Sequence, residues 1–143
     1  MNGPAPLPGR RVVLGALGLG AVITAAYWVL WYADRGVVAS NHRAAYYEFE
    51  NAFPLADGWL VVCLLAALVL LMRHSPTALL WLIAAGGSAV YLACMDVLYD
   101  IEQSIWWRSG AGGWIELVIN VLTLALGVLL LTWSWRHRRA LQA

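Results

Sequence analysis

The sequence contains no lysine, two cysteines and three histidines, and only 12% of its 143 residues are charged. Each scarcity removes a class of function. Without lysine no retinal Schiff base can form. His42, His74 and His137 all fall outside the long apolar runs, which argues against bis-histidine haem inside a membrane bundle. Cys63 and Cys94 form no Cys-x-x-Cys pair, so quinone-linked disulfide chemistry is disfavoured. Both read as small buried hydrophobes and leave the redox compartment unconstrained. No Walker or Gly-x-Ser-x-Gly sequence occurs, and nothing supports nucleic-acid binding. Absence of lysine beside abundant alanine, glycine and arginine is the composition a GC-rich bacterial genome gives.

What is abundant is apolar: 62% of the chain, a membrane-protein composition. Four apolar runs, 12–33, 54–72, 79–99 and 114–135, are each long enough to cross about 30 Å of hydrocarbon as a helix. They are continuous and lack the alternation of barrel strands. The expected fold is an all-α bundle of four transmembrane helices. Residues 1–11 form an expected disordered cytoplasmic tail and 136–143 a basic cytoplasmic tail. Gly9-Arg10-Arg11 resembles the start of a signal peptide. The run that follows is too long for a signal core and ends in aromatics, so an uncleaved helix is favoured.

Charge divides between the two ends of these helices. Arg10, Arg11, Arg73, Arg136, Arg138 and Arg139 fall at one end; all eight acids fall at or near the other, with only Arg35, Arg43 and Arg108. Basic flanks are retained in the cytoplasm, which gives an inner-membrane protein with both termini inside. The connection 34–53 is too aromatic for a floppy linker, and residues 41–53 are expected to form a short interfacial helix with Pro54 near the first turn of the next span. Ser75 is the expected N-cap of the third span. Gly86-Gly87-Ser88 marks a close-packing point there that would permit a kink, and residues 110–113 form the turn before the fourth. The tryptophans crowd both ends of the runs, as interface belts do.

The acids carry the chemistry. Asp96 and Asp100 are four residues apart and share a helix face, as do Glu116 and Asn120; Glu50 and Asp57 share one if the helix runs through Pro54. The members of the first two pairs are separated by about 6 Å along their axes, so three helices can converge on one polar pocket. Glu48, Glu102, Gln103 and His42 would form its rim. Carboxylates so concentrated cannot all be ionised and unpaired; a cation, a shared proton network or arginine must compensate them. All-oxygen ligands suit a hard divalent ion, Ca²⁺ ahead of Mg²⁺ or Mn²⁺. The candidate metal ligands are Glu50, Asp57, Asp96, Asp100, Glu116 and Asn120. Carboxylate metal sites in four-helix bundles are loosely similar, but their Glu-x-x-His motif is missing here.

Plainer readings compete. Asp100 and Glu102 suit a solvated helix end, and Glu116 suits the positive end of a helix dipole. Asp57, Asp96 and Asn120 have apolar sequence on their inward side and must be satisfied within the bundle, if only structurally. Three functions follow. The first is a cation-binding sensor, channel or transporter subunit. The second is a membrane enzyme using buried acids as general acid and base on a lipid-soluble substrate. The small sterol isomerases of the emopamil-binding type resemble such a bundle in general style, without a matching motif. The third is an accessory subunit with a structural polar network. The lipid bilayer is the expected partner, with a homo-oligomer or larger membrane complex left open. The apolar halves of the last three runs away from the acids weigh against a standalone channel.

Overall fold

The structure, a computed structural model, describes residues 7–39, 42–108 and 110–142, and these are helical and without strands. Residues 1–6 of the expected N-terminal tail, and Asn41 of the expected interfacial helix, lie outside the described residues. The helices are α1 (Arg10–Val38), α2 (Ala44–Glu50), α3 (Pro54–Met72), α4 (Ala78–Gln103), α5 (Ile105–Arg108) and α6 (Ala111–Leu141). Four helical stretches, α1, α2 with α3, α4 and α6, are long and apolar enough to cross a membrane.

Local chemistry sets the breaks. Within α1 the backbone leaves helical geometry at Asp34 (φ −156°, ψ 89°), where the apolar run ends. Its Oδ1 accepts the Gly36 N–H at 3.0 Å, a side-chain turn that competes with the helix. The segment expected as one helix over 41–53 is helical only from Ala44 to Glu50. Pro54 has no N–H to continue the ladder and instead opens α3, the position where proline costs nothing. Two further expectations are corrected. Thr77, not Ser75, precedes α4 as its N-cap, and the two hydroxyls bond each other at 2.8 Å. The glycines 112 and 113 belong to the first turn of α6, and that helix continues through the basic stretch to Leu141.

Around the bundle, α1 packs on α3, α3 on α4, and α4 most extensively on α6, whereas α1 and α6 touch least. Val13, Leu17, Leu64, Ala67, Leu82, Ala85 and Leu130 are fully buried and fill the half toward the arginine end. That end is tied by side chains on backbone. Arg10 Nη2 donates to Leu71 O at 2.9 Å, satisfying one of the last carbonyls of α3. Trp133 Nε1 donates to Pro8 O at 2.8 Å. Outward, Val22, Val29, Leu55, Leu80, Ile115 and Val121 are exposed, a surface suited to lipid. The carboxylate half, by contrast, has polar groups where a core would be.

Candidate functional site

Helix periodicity brings four acids around one cavity. Asp57 comes from the first turn of α3, with Leu60 one turn below it; Asp96 lies one turn from Leu92 on α4; Glu116, Ile119 and Thr123 follow the same stripe of α6. Ile23, Thr24 and Tyr27 contribute the α1 wall, and Glu50 with Phe53 closes the remaining side from the α2–α3 bend. The cavity measures about 110 Å³, the volume of three or four waters at roughly 30 Å³ each. Glu50 and Glu116 are buried, at 6% and 8% exposure, and Asp57 and Asp96 are partly buried. Among the described residues no arginine or histidine lines it.

Two of the acids are held by aromatic donors. Tyr27 donates its hydroxyl to Glu50 Oε2 at 2.9 Å, and Trp28 donates its indole N–H to Asp57 Oδ2 at 2.8 Å. The broken helix at 51–53 therefore does not separate Glu50 from Asp57; both face the same space. Above them α2 covers the end of the bundle. Tyr46 is 1% exposed, and Phe49 stacks on Tyr99 with ring centres 3.8 Å apart.

Asp100 and Asn120, expected beside these acids, do not line the cavity. They form a separate tie between α4 and α6. Asn120 Nδ2 donates to Asp100 Oδ2 at 2.6 Å, and Trp106 Nε1 donates to the same oxygen at 2.9 Å. Both residues are 1% exposed. Trp106 reaches back because Ser104 adopts a left-handed conformation (φ 57°) that ends α4 and turns the chain into α5. Asn120 Oδ1 is buried and has no hydrogen-bond partner. The expected rim residues Glu48, Glu102, Gln103 and His42 are exposed and line no part of the cavity.

The sequence reading passed over Thr24, Tyr27, Trp28 and Thr123. Tyr27 and Trp28 were assignable to an interface belt by position alone. The available signal was that each carries a donor near acids that need one. Chemically, the site is four carboxyl groups and three hydroxyls (Thr24, Tyr27, Thr123) walled by Ile23, Leu60, Leu92 and Ile119. It offers acceptors in excess of donors. It can hold a cationic or donor-rich group or pass protons between acids. Among the described residues no three His, Cys, Asp or Glu side chains come close enough together to hold one metal ion. The chain matches no protein-family model, no curated protein and no solved structure.

Proposed function

We propose that this is a multi-pass membrane protein that binds a cation in the carboxylate cavity. One observation carries the reading: Glu50, Asp57, Asp96 and Glu116, delivered by four helices, surround one space that no arginine or histidine among the described residues lines. Ionisable groups at membrane depth are costly and are retained where they act. Four of them together call for a positive partner.

The divalent ion expected from the sequence needs several oxygens focused on one point at 2.0–2.6 Å. The acids instead stand around a cavity, and among the described residues no three converge. The geometry therefore favours a larger cation, one that fills about 110 Å³ and meets the carboxylates as a hydrogen-bond donor. An alkylammonium ion of a few carbons does both.

The test is thermal unfolding in non-ionic detergent, titrated at fixed ionic strength with alkylammonium ions, Ca²⁺, Mg²⁺ and Mn²⁺. A ligand bound only by the folded state stabilises by about 2.7 kcal/mol at one hundred times its Kd. A saturable rise of several degrees is expected with an alkylammonium ion and is expected to vanish in Asp96→Asn. A flat response to every ion would remove the cation reading.

A further inference from the structure

The six arginines at the end away from the cavity have no acidic side chain beside them. Asp57, the acid nearest Arg73 along its helix, stands 16 residues back, about 24 Å. Glu116 and Arg136 are 20 residues apart on α6, about 30 Å. Arg11, Arg73, Arg136 and Arg139 are exposed, and among the described residues they make no hydrogen bond or ion pair. Charge of one sign left without neutralisation raises the local potential and draws an opposite partner.

The fold gathers these charges. Residues 8–10 cross from α6 to α3. Trp133 Nε1 on α6 holds Pro8 O at 2.8 Å, and Arg10 Nη2 donates to Leu71 O at 2.9 Å and to Met72 O at 3.4 Å at the end of α3. The crossing is tight: Gly9 is left-handed (φ 75°), and a Cβ on it would stand 3.3 Å from Trp133 Nε1. Arg11 follows Arg10 and Arg73 follows Met72, so three arginines lie at or beside the two residues of one hydrogen bond. Arg10 meets carbonyls but no anion, and its buried Nε has no acceptor. On α6, Arg136 is one turn beyond Trp133 and shares a face with Arg139. Arg138 lies over the Trp135 ring at 4.1 Å and donates to Trp135 O at 2.7 Å. The basic flanks of three helices thus form one patch.

Its level selects the partner. With 19 residues, α3 is about 28 Å long, close to a hydrocarbon thickness, and Arg73 comes directly after it. Trp133 and Trp135 precede Arg136, and indoles mark the boundary of the hydrocarbon. Guanidinium groups at that level meet lipid phosphates, whose oxygens match their forked N–H donors.

We propose that the arginine end binds anionic phospholipid of the leaflet it faces. One phosphate is held at Arg10, Arg11 and Arg73, and further anionic head groups gather along Arg136 and Arg139. Juxtamembrane basic clusters recognise net negative head groups in this way. A zwitterionic lipid carries the same phosphate with a cation beside it, which the patch repels. The site lies at the opposite end from the carboxylate cavity and does not rest on the cation reading.

The test is thermal unfolding of the full chain in non-ionic detergent and about 0.1 M salt. The probes are dioleoyl phosphatidylglycerol, dioleoyl phosphatidylcholine, inorganic phosphate and polyglutamate. Phosphatidylglycerol is expected to raise the midpoint saturably, and the other three are expected not to. The rise is expected to shrink at about 1 M salt, where charges are screened beyond about 3 Å. Arg11→Gln with Arg73→Gln removes two exposed groups without hydrogen bonds, so the lipid-free midpoint is expected to stay near the parent's. The half-saturating concentration of phosphatidylglycerol is expected to rise about tenfold or more. Arg136→Gln with Arg139→Gln is expected to raise it too, and serves should the first pair fail to fold. Arg35→Gln with Arg108→Gln makes the same change of net charge at the other end and is expected to leave it unchanged. An equal response to phosphatidylcholine, or an equal loss in the Arg35, Arg108 variant, would overturn the proposal, because the patch would not be what selects the lipid. Inorganic phosphate or polyglutamate acting as strongly would overturn it in favour of a soluble anion. No saturable response to phosphatidylglycerol would overturn it outright.

Discussion

Replacement of Gly127 by leucine is expected to be among the most destabilising single changes in the bundle. The residue lies where α6 meets the backbone of α4. A Cβ there would stand 2.7 Å from Val90 Cγ2 and 2.9 Å from both Gly86 O and Val90 N. Two of those atoms are backbone, so no side-chain rotation relieves the contact. On α4, Gly86 is restricted too, with Leu131 Cγ 2.8 Å and Gly127 O 3.1 Å from where its Cβ would be. Removing glycine from a helix interior gains about 1 kcal/mol of propensity. Overpacking a full core costs about 1–3 kcal/mol and occasionally more, and here the helices must separate along their largest interface. A net loss above about 3 kcal/mol is expected, read as a lowered thermal midpoint and aggregation on size-exclusion chromatography. Gly87, exposed and with nothing within 4 Å of its Cβ position, is the control. Gly87→Ala is expected to leave the midpoint unchanged or raise it. An unchanged midpoint in Gly127→Leu would show that the α4–α6 contact is not the fixed seam of the fold.

Asn120→Leu is also expected to be damaging, and a second substitution is expected to repair most of the loss. Asp100 loses its shorter hydrogen bond, that from Asn120 Nδ2 at 2.6 Å, and keeps only Trp106. At 1% exposure it has no water to replace the donor. Stranding a buried polar group costs about 1–3 kcal/mol, and more if it is charged. Asp100→Leu with Asn120→Leu removes this pair together, which is commonly near neutral, and leaves only the part-buried Trp106 N–H without its acceptor. The double variant is therefore expected to regain most of the lost midpoint. The same cycle measures the pair's coupling. Purely additive losses would mean that Asp100 and Asn120 do not act as a unit. Because this pair stands off the cavity, the double variant is also expected to keep whatever cation binding the parent has.

Spacing alone carried the sequence reading a long way. Four apolar runs gave four membrane-length helices, but of each period-four pair only one member, Asp96 and Glu116, lines the cavity beside Asp57. Glu50 joined them by another route. The helix was expected to run through Pro54, yet it breaks, and the bend itself turns Glu50 inward. Face arguments treat a helix in isolation, which is why Asp100 and Asn120 were grouped with the cavity. Their mutual hydrogen bond depends on the relative rotation of α4 and α6, and the bond from Trp106 depends on a left-handed Ser104. Neither is written in periodicity. Tryptophan position likewise marks an interface without showing where the indole N–H points, and Trp28 and Trp106 each point at an acid.

The central claim is that the carboxyl groups of the cavity themselves receive the cation. Infrared difference spectroscopy reads this directly, comparing nanodisc-embedded protein with and without an alkylammonium ion. Carboxyl and carboxylate bands are expected to change on loading. The change is expected to diminish in each of Glu50→Gln, Asp57→Asn, Asp96→Asn and Glu116→Gln, and to persist in the Asp100→Leu, Asn120→Leu double variant. A loaded spectrum with no carboxyl bands, or one that survives all four cavity substitutions, would contradict the account.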